Sequence, residues 1–178
     1  RVSAEELAWI GHDQVPEEDA PMPPGFIAML IKRPSLWAVG AANFGLDFIN
    51  FMFLTWYPTY LVEQYHMSLT RMGVMAMEPY VFALVTVLGA GRLVRWLCDQ
   101  GMNSVKARRM VIFAGLLLGT LALVVTVNVT DLYASVTAMS LGYAFVMAIL
   151  GPMWSTPADI AGPRGVGFAS GFVNFVGN

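Results

Sequence analysis

Asn43, Asp47 and Asn50 interrupt one long apolar stretch at i, i+4 and i+7. On a helix that spacing stacks three polar side chains on a single face. An aspartate at the middle of a membrane-crossing helix costs at least about 2.5 kcal/mol when left in hydrocarbon, so it faces protein or water and marks a proton relay, an ion path or a substrate cavity. The structural alternative is an Asp47 held neutral or hydrogen-bonded as glue between helices. Glu78, directly before Pro79, is a second acid inside an apolar run, either proton-coupled or wetted from the outer surface. Asn174 and Ser170, four apart, make another polar face, and there Gly167 and Gly171 offer the competing reading of a close helix crossing. Trp154, Ser155 and Thr156 follow Gly151 and Pro152, where a span breaks and its backbone either binds a ligand or simply ends the helix.

Enzyme chemistry finds no footing. His12 and His66 both fall in aqueous segments, and the sequence holds no nucleophilic triad, no HExxH and no Gly-rich phosphate loop. Cys98 is the single cysteine, so no internal disulfide forms, and no Cys/His grouping has zinc spacing. No metal and no cofactor are expected, and nothing points to nucleic acid.

The elements that position these residues follow from composition. Of 178 residues, 57% are apolar and 12% charged, against about 25% charged in a soluble domain; mean hydropathy is +0.61. A polytopic, all-α membrane protein is expected, with spans near 36–61, 72–91, 110–129, 132–154 and 166 onward, since about 20 apolar residues cross a bilayer as a helix. Residues 1–25 are acidic and Pro-rich, with Ser3 and Glu6 placed as a capping box for a short helix ending near Gly11. Residues 26–33 are too short to span and suit an amphipathic lead-in at the interface. Alternating sides puts Arg1, Lys32, Arg33, Arg92, Arg95, Lys106, Arg108, Arg109 and Arg164 in one compartment and only Arg71 in the other. The positive-inside bias makes the first side cytoplasmic, residue 1 included. Lys106, Arg108 and Arg109 set topology and meet anionic lipid. Tyr57, Tyr60, Tyr65, Trp96 and Trp154 sit near span ends as interfacial aromatics do. Gly115 and Gly119 have no polar companion and read as packing. The chain opens on Arg1 without a signal peptide and stops at Asn178 within an apolar run, the pattern of a fragment.

The stretch FLTWYPTYLVEQYHMSLTRMG (53–73) resembles the seventh-helix signature of the anion:cation symporter family of the major facilitator superfamily. VSAEELAWI (2–10), the turn into a basic loop ending ARR (107–109), the link at Asp159–Pro163 and SGFVNFVGN (170–178) agree in order. The last is similar to the family's eleventh-helix SGGLFNxxGN. The resemblance covers essentially the whole chain and implies the C-terminal half of a twelve-helix fold. Residues 1–34 are then the central cytoplasmic loop and lead-in, and residues 35–178 are helices seven to eleven, the last truncated. The N-terminal six-helix half is missing.

The resemblance also implies a function: uptake of a small organic anion, a sugar acid or related carboxylate, by proton symport with alternating access in the plasma (inner) membrane. Carried over by position, Asn43 and Asn174 contact substrate, Trp154 or Ser155 lies near the helix-ten contacts, and Asp47 stands where the family is more often neutral. Asp47 and Glu78 are the proton-coupling candidates. The family's Ser-Asp pair after helix eight is Val94-Arg95 here, so the cytoplasmic charge link falls to Arg95 and Asp99. Partners are the anion, the proton, the lipid bilayer and the missing half. The alternatives are a non-transporting sensor or scaffold on the same fold, and a transporter of a neutral sugar or an inorganic anion.

Overall fold

The computed structural model describes residues 23–178, which are helical with short connections and contain no strand. The capping box at Ser3 and Glu6 lies outside the described residues. The helices are α1 (Phe26–Ile31), α2 (Pro34–Tyr65), α3 (Leu69–Ala76), α4 (Glu78–Asp99), α5 (Ser104–Asn128), α6 (Leu132–Met147), α7 (Leu150–Trp154) and α8 (Thr156–Gly177).

Local chemistry sets several of the starts. Pro34 opens α2, where its missing N–H and fixed φ cost nothing. Asn103 accepts from the Val105 N–H at 2.9 Å to open α5, and Asp131 accepts from the Ala134 N–H at 2.9 Å to open α6. Four helical stretches are long and apolar enough to cross a membrane: Pro34–Tyr65, Leu69–Asp99, Ser104–Asn128 and Leu132–Gly177. The 46 residues of the last would run about 69 Å as one helix, more than twice a hydrocarbon core of about 30 Å. It is two passes. Tyr65 meets Ser135 and Asn50 meets Tyr143, so α6 runs antiparallel to α2. Arg33 meets Ile160, Trp37 meets Phe172 and Gly40 meets Val176, so α8 runs parallel to α2. The reversal passes Gly162, whose φ of 68° and ψ of 179° break the helix before Pro163.

Burial sorts the helices. In the most apolar windows, 22% of Pro34–Tyr65, 11% of Leu69–Asp99 and 17% of Ser104–Asn128 is buried, against 61% of Leu132–Gly177. The α6–α8 segment is therefore the core, and the apolar faces around it are left for lipid or further protein. Side chains such as Phe113 and Val127 on α5 lie largely exposed on that outer surface.

Close crossings hold the bundle. A Cβ on Gly115 would stand 2.7 Å from Ile149 Cγ2 and 2.8 Å from the Phe145 carbonyl oxygen, and one on Gly119 would stand 2.7 Å from Val146 Cγ2. The packing role expected of these two glycines is the one observed, between α5 and the segment from α6 to Ile149. Gly115→Ala is therefore expected to destabilise the detergent-solubilised protein by about 1–3 kcal/mol through overpacking. Gly89→Ala, with open space around it, should melt like the parent, and equal melting temperatures for the two variants would refute the crossing.

Two expectations change. The buried face of α8 runs through Ala161, Gly165, Ala169, Val173 and Gly177 at a spacing of four, with Gly165 against α1 and Gly177 against Asn43 of α2, whereas Gly167 and Gly171 meet nothing within 4 Å. The sequence offered two small-residue stripes on one helix, and only docking against α1 and α2 selects between them. The lead-in α1 is also more than an interfacial float. Its Leu30 is fully buried, and a Cβ on Gly165 would reach both Phe26 and Leu30, so α1 packs under α8.

Candidate functional site

Asn43 sits 1% exposed where α2 meets the end of α8, so close that a Cβ on Gly177 would overlap its carboxamide. Its Nδ2 donates to Asp47 Oδ2 at 2.7 Å, one turn on. The partner given to this carboxylate is thus a neutral amide. One further turn along the same face, Asn50 Oδ1 accepts from the Tyr143 hydroxyl of α6 at 2.8 Å. The Tyr143 ring lies against Phe53, with centroids 4.5 Å apart, and edge-on to Tyr80 of α4 at 5.4 Å. Helices α2, α4 and α6 therefore meet along a polar seam inside an aromatic wall.

Beyond Tyr143 the seam holds two more hydroxyls. Tyr57 is 3% exposed and Ser140 is fully buried, and neither hydroxyl completes a hydrogen bond, although Ser140 lies beside Tyr57. Each buried hydroxyl left unpaired costs about 1–3 kcal/mol. Glu78, at the start of α4 and half-buried, stands close enough to Tyr57 to act on it through space, as do Tyr60 and Tyr65. Tyr60 and Tyr65 face each other with their hydroxyls 3.4 Å apart, and Tyr65 donates to Ser135 Oγ at 3.4 Å.

The residues nominated from sequence are distributed unevenly over this frame. Asn43 and Asp47 are joined directly, whereas Glu78 stands half-buried at the start of α4 with no hydrogen bond to the seam. Asn174 lies one turn before Gly177 on the exposed face of α8, where its Oδ1 accepts from Asn178 Nδ2 at 2.8 Å. Trp154 packs half-buried against the central core. The Ser155 hydroxyl is committed to the Pro152 carbonyl at 2.7 Å, where it satisfies the backbone at the α7–α8 break.

Arg95 and Asp99 are both exposed, and no ion pair joins them. An ion pair across this end joins Arg108 of α5 to Asp159 in the first turn of α8. Arg95 and Asp99 share one helix, so a bond between them would tie nothing together, whereas the fold brings the starts of α5 and α8 side by side. A carboxylate there also favours the positive end of the α8 dipole.

A cavity of about 670 Å³ opens on a different face of α2, lined by Ala38, Ala42, Ile49, Ile112 and Val146, with Arg108, Arg109 and Asp159 at its rim. None of the nominated substrate or proton residues lines it.

Sequence reasoning passed over Tyr143 and Ser140 and took Tyr57 for an interfacial aromatic, which its burial corrects. A usable signal existed in α6. Ser135, Ser140 and Tyr143 are hydroxyl groups within a largely apolar span, and each had to find a partner or water.

A profile of the Major Facilitator Superfamily matches residues 7–178. Among curated relatives, the probable galactarate/D-glucarate transporter GarP of Escherichia coli K12 is 26% identical over 100% of this chain and 42% of its own length. The probable sulfoacetate transporter SauU of Cupriavidus necator is 29% identical over 98% of this chain and 40% of its own length. The D-galactonate transporter of Escherichia coli O6:H1 is 29% identical over 83% of this chain and 34% of its own length. The chain thus spans about two-fifths of the length of the relatives it matches most fully. An all-α bundle with membrane-length apolar helices, matched by that profile over nearly its whole length, belongs to the Major Facilitator Superfamily.

Proposed function

We propose that this chain is the C-terminal half of a secondary transporter that takes up a small organic anion with a proton. The observation that carries this reading is the Asn43–Asp47 pair, an amide and a carboxylate held 2.7 Å apart within a membrane-length helix and continued by a hydroxyl seam. Such intramembrane acids serve transport paths far more often than packing. The relatives' names supply the substrate class, since galactarate, D-glucarate, D-galactonate and sulfoacetate are all small organic anions. Asp47 and Glu78 are the proton-carrying groups. Asn174 on the open face of α8 and Asn43 at the α2–α8 crossing hydrogen-bond the substrate, with Trp154 and Ser155 at the hinge of the neighbouring span. The cationic group that pairs the anion and the remaining helices come from the rest of the polypeptide, and the two halves rock about the central site. The α1 end is cytoplasmic in this reading, which the excess of basic residues on that side supports, and the complete protein lies in the inner membrane.

The complete protein, reconstituted in proteoliposomes, is expected to concentrate a sugar acid or sulfonate when the outside is acidified. Binding of such an anion with no flux would instead identify a sensor on the same fold. Asn174→Ala removes a hydrogen bond to a charged ligand, worth about 1.5–3 kcal/mol, so half-saturation should rise about 10- to 150-fold. Unchanged half-saturation would take Asn174 out of the site.

A further inference from the structure

The helices of this bundle repeat one another in pairs. Helix α4 runs beside α6 in the same direction, since Tyr80 meets Tyr143, Thr86 donates to the Ala144 carbonyl at 2.6 Å and Ala90 packs with Ala148. Helix α8 runs beside α2 in the same direction, with Arg33 at Ile160 and Gly40 at Val176. Exchanging α2 with α6 and α4 with α8 therefore reproduces both pairings, as in folds built from internal repeats. Only α5 is left without a counterpart. It lies antiparallel on α6, with Gly115 and Gly119 against Phe145, Val146 and Ile149. Its counterpart would come after α8 in sequence and lie antiparallel on α2. The face of α2 where it would lie is open, as one wall of the cavity of about 670 Å³ whose other wall is α5. We propose that this groove seats one further membrane-crossing helix of the same polypeptide, the span that follows α8, running antiparallel to α2. The inference rests on the fold and uses neither the substrate nor the proton roles given above.

The groove is shaped for a helix. Its α2 wall presents Ala38, Ala42 and Gly45 at i, i+4 and i+7, and a Cβ on Gly45 would meet nothing within 4 Å. Small residues along one face let a second backbone approach closely, as Gly115 and Gly119 already do where α5 crosses α6. A lipid chain needs no such recess. The floor of the groove includes Val146 and Ile149, the side chains on which α5 packs, so a seated helix would continue an existing interface. The rim agrees with the direction. A helix antiparallel to α2 ends where α2 begins, beside Arg108 and Arg109. Arg108 is taken by Asp159, whereas Arg109 is exposed and forms no ion pair among the described residues. The last carbonyls of a helix lack intrahelical partners and carry partial negative charge, so the Arg109 guanidinium is placed to cap them. Chain length also allows it, because this chain spans about two-fifths of the length of relatives such as GarP and SauU.

The test uses the complete protein in its membrane. The photoreactive residue p-benzoyl-phenylalanine replaces Ala42 on one wall of the groove and, in a second variant, Ile112 on the other. Two walls are used so that a probe that unfolds one variant leaves the other to be read. After irradiation and digestion, mass spectrometry is expected to find both positions joined to the same apolar peptide, which belongs to the same polypeptide and lies outside residues 1–178. Adducts with lipid alone would make the groove a lipid seat, and a cross-linked dimer would make it an interface between copies. Either result overturns the proposal, as does capture confined to residues 1–178. Gly45→Leu gives an independent reading from melting. In an open or lipid-filled groove it only replaces glycine by a better helix former, so the melting temperature holds or rises. Against a seated helix it overpacks the crossing, and the melting temperature should fall by about 2–8 °C. A melting temperature that holds or rises overturns the close crossing.

Discussion

Asp47→Asn is expected to lower proton-driven uptake about 100-fold and to flatten its dependence on outside pH. The substitution keeps the shape of the side chain and its contact with Asn43, whose Nδ2 donates to Asp47 Oδ2 at 2.7 Å. What it removes is the ability to take up and release a proton. Proton-transfer groups contribute about 100- to 10,000-fold in rate, so the effect should exceed that of any one hydrogen bond to substrate. Uptake rates are measured in proteoliposomes across a series of outside pH values. A variant that still concentrates substrate with the parental pH profile would assign Asp47 to helix packing, leaving Glu78 as the coupling acid. Comparing the two acids matters because both lie in membrane-length helical stretches, Asp47 on α2 and Glu78 at the start of α4.

The second large effect is expected at Gly162. Its φ of 68° and ψ of 179° lie in a region essentially reserved for glycine, and Pro163 forces the preceding residue to stay extended. A Cβ there would meet nothing within 4 Å, so Gly162→Ala acts through backbone strain and not through packing. That strain amounts to about 1–3 kcal/mol. It falls at the reversal that sends α8 back along α2, so the Asn43–Gly177 contact and the Arg33 bond to the Ile160 carbonyl both depend on it. The expected result is a lower melting temperature and a reduced folded yield in detergent. Gly167→Ala is the matched control: it too has open space, but it has helical backbone, where alanine is preferred by about 1 kcal/mol. If the two variants melt alike, the conformation at Gly162 is not required.

Much of this architecture is readable locally. A bilayer requires about 20 consecutive apolar residues per crossing, so hydropathy alone separates the passes. The junctions carry their own signals in Pro34, Asn103, Asp131 and the Gly162–Pro163 pair. Even the division of the 46-residue segment into two passes follows from length and the residues that interrupt it. The Asn43–Asp47 bond belongs here as well, because i, i+4 neighbours on a helix meet whatever surrounds them.

The remainder depends on how separate helices dock. Tyr143 and Asn50 are 93 residues apart in sequence, and their bond exists only because α6 enters antiparallel between α2 and α4. Tyr57 has the composition of an interfacial tyrosine, and only that docking turns it inward beside Ser140. The charge link shows the same limit. The resemblance gave the cytoplasmic charge link to Arg95 and Asp99 on one helix, whereas the pair seen to bridge two helices, Arg108 with Asp159, spans 51 residues. In α8, two stripes of small residues were available, and the face that meets α1 and α2 chose Gly165 over Gly167. Helix periodicity lists what each face offers, at a cost or gain of a few tenths of a kcal/mol per pair. Which faces meet is decided by close packing and by pairing of buried polar groups across the whole bundle, and neither is a property of any one segment.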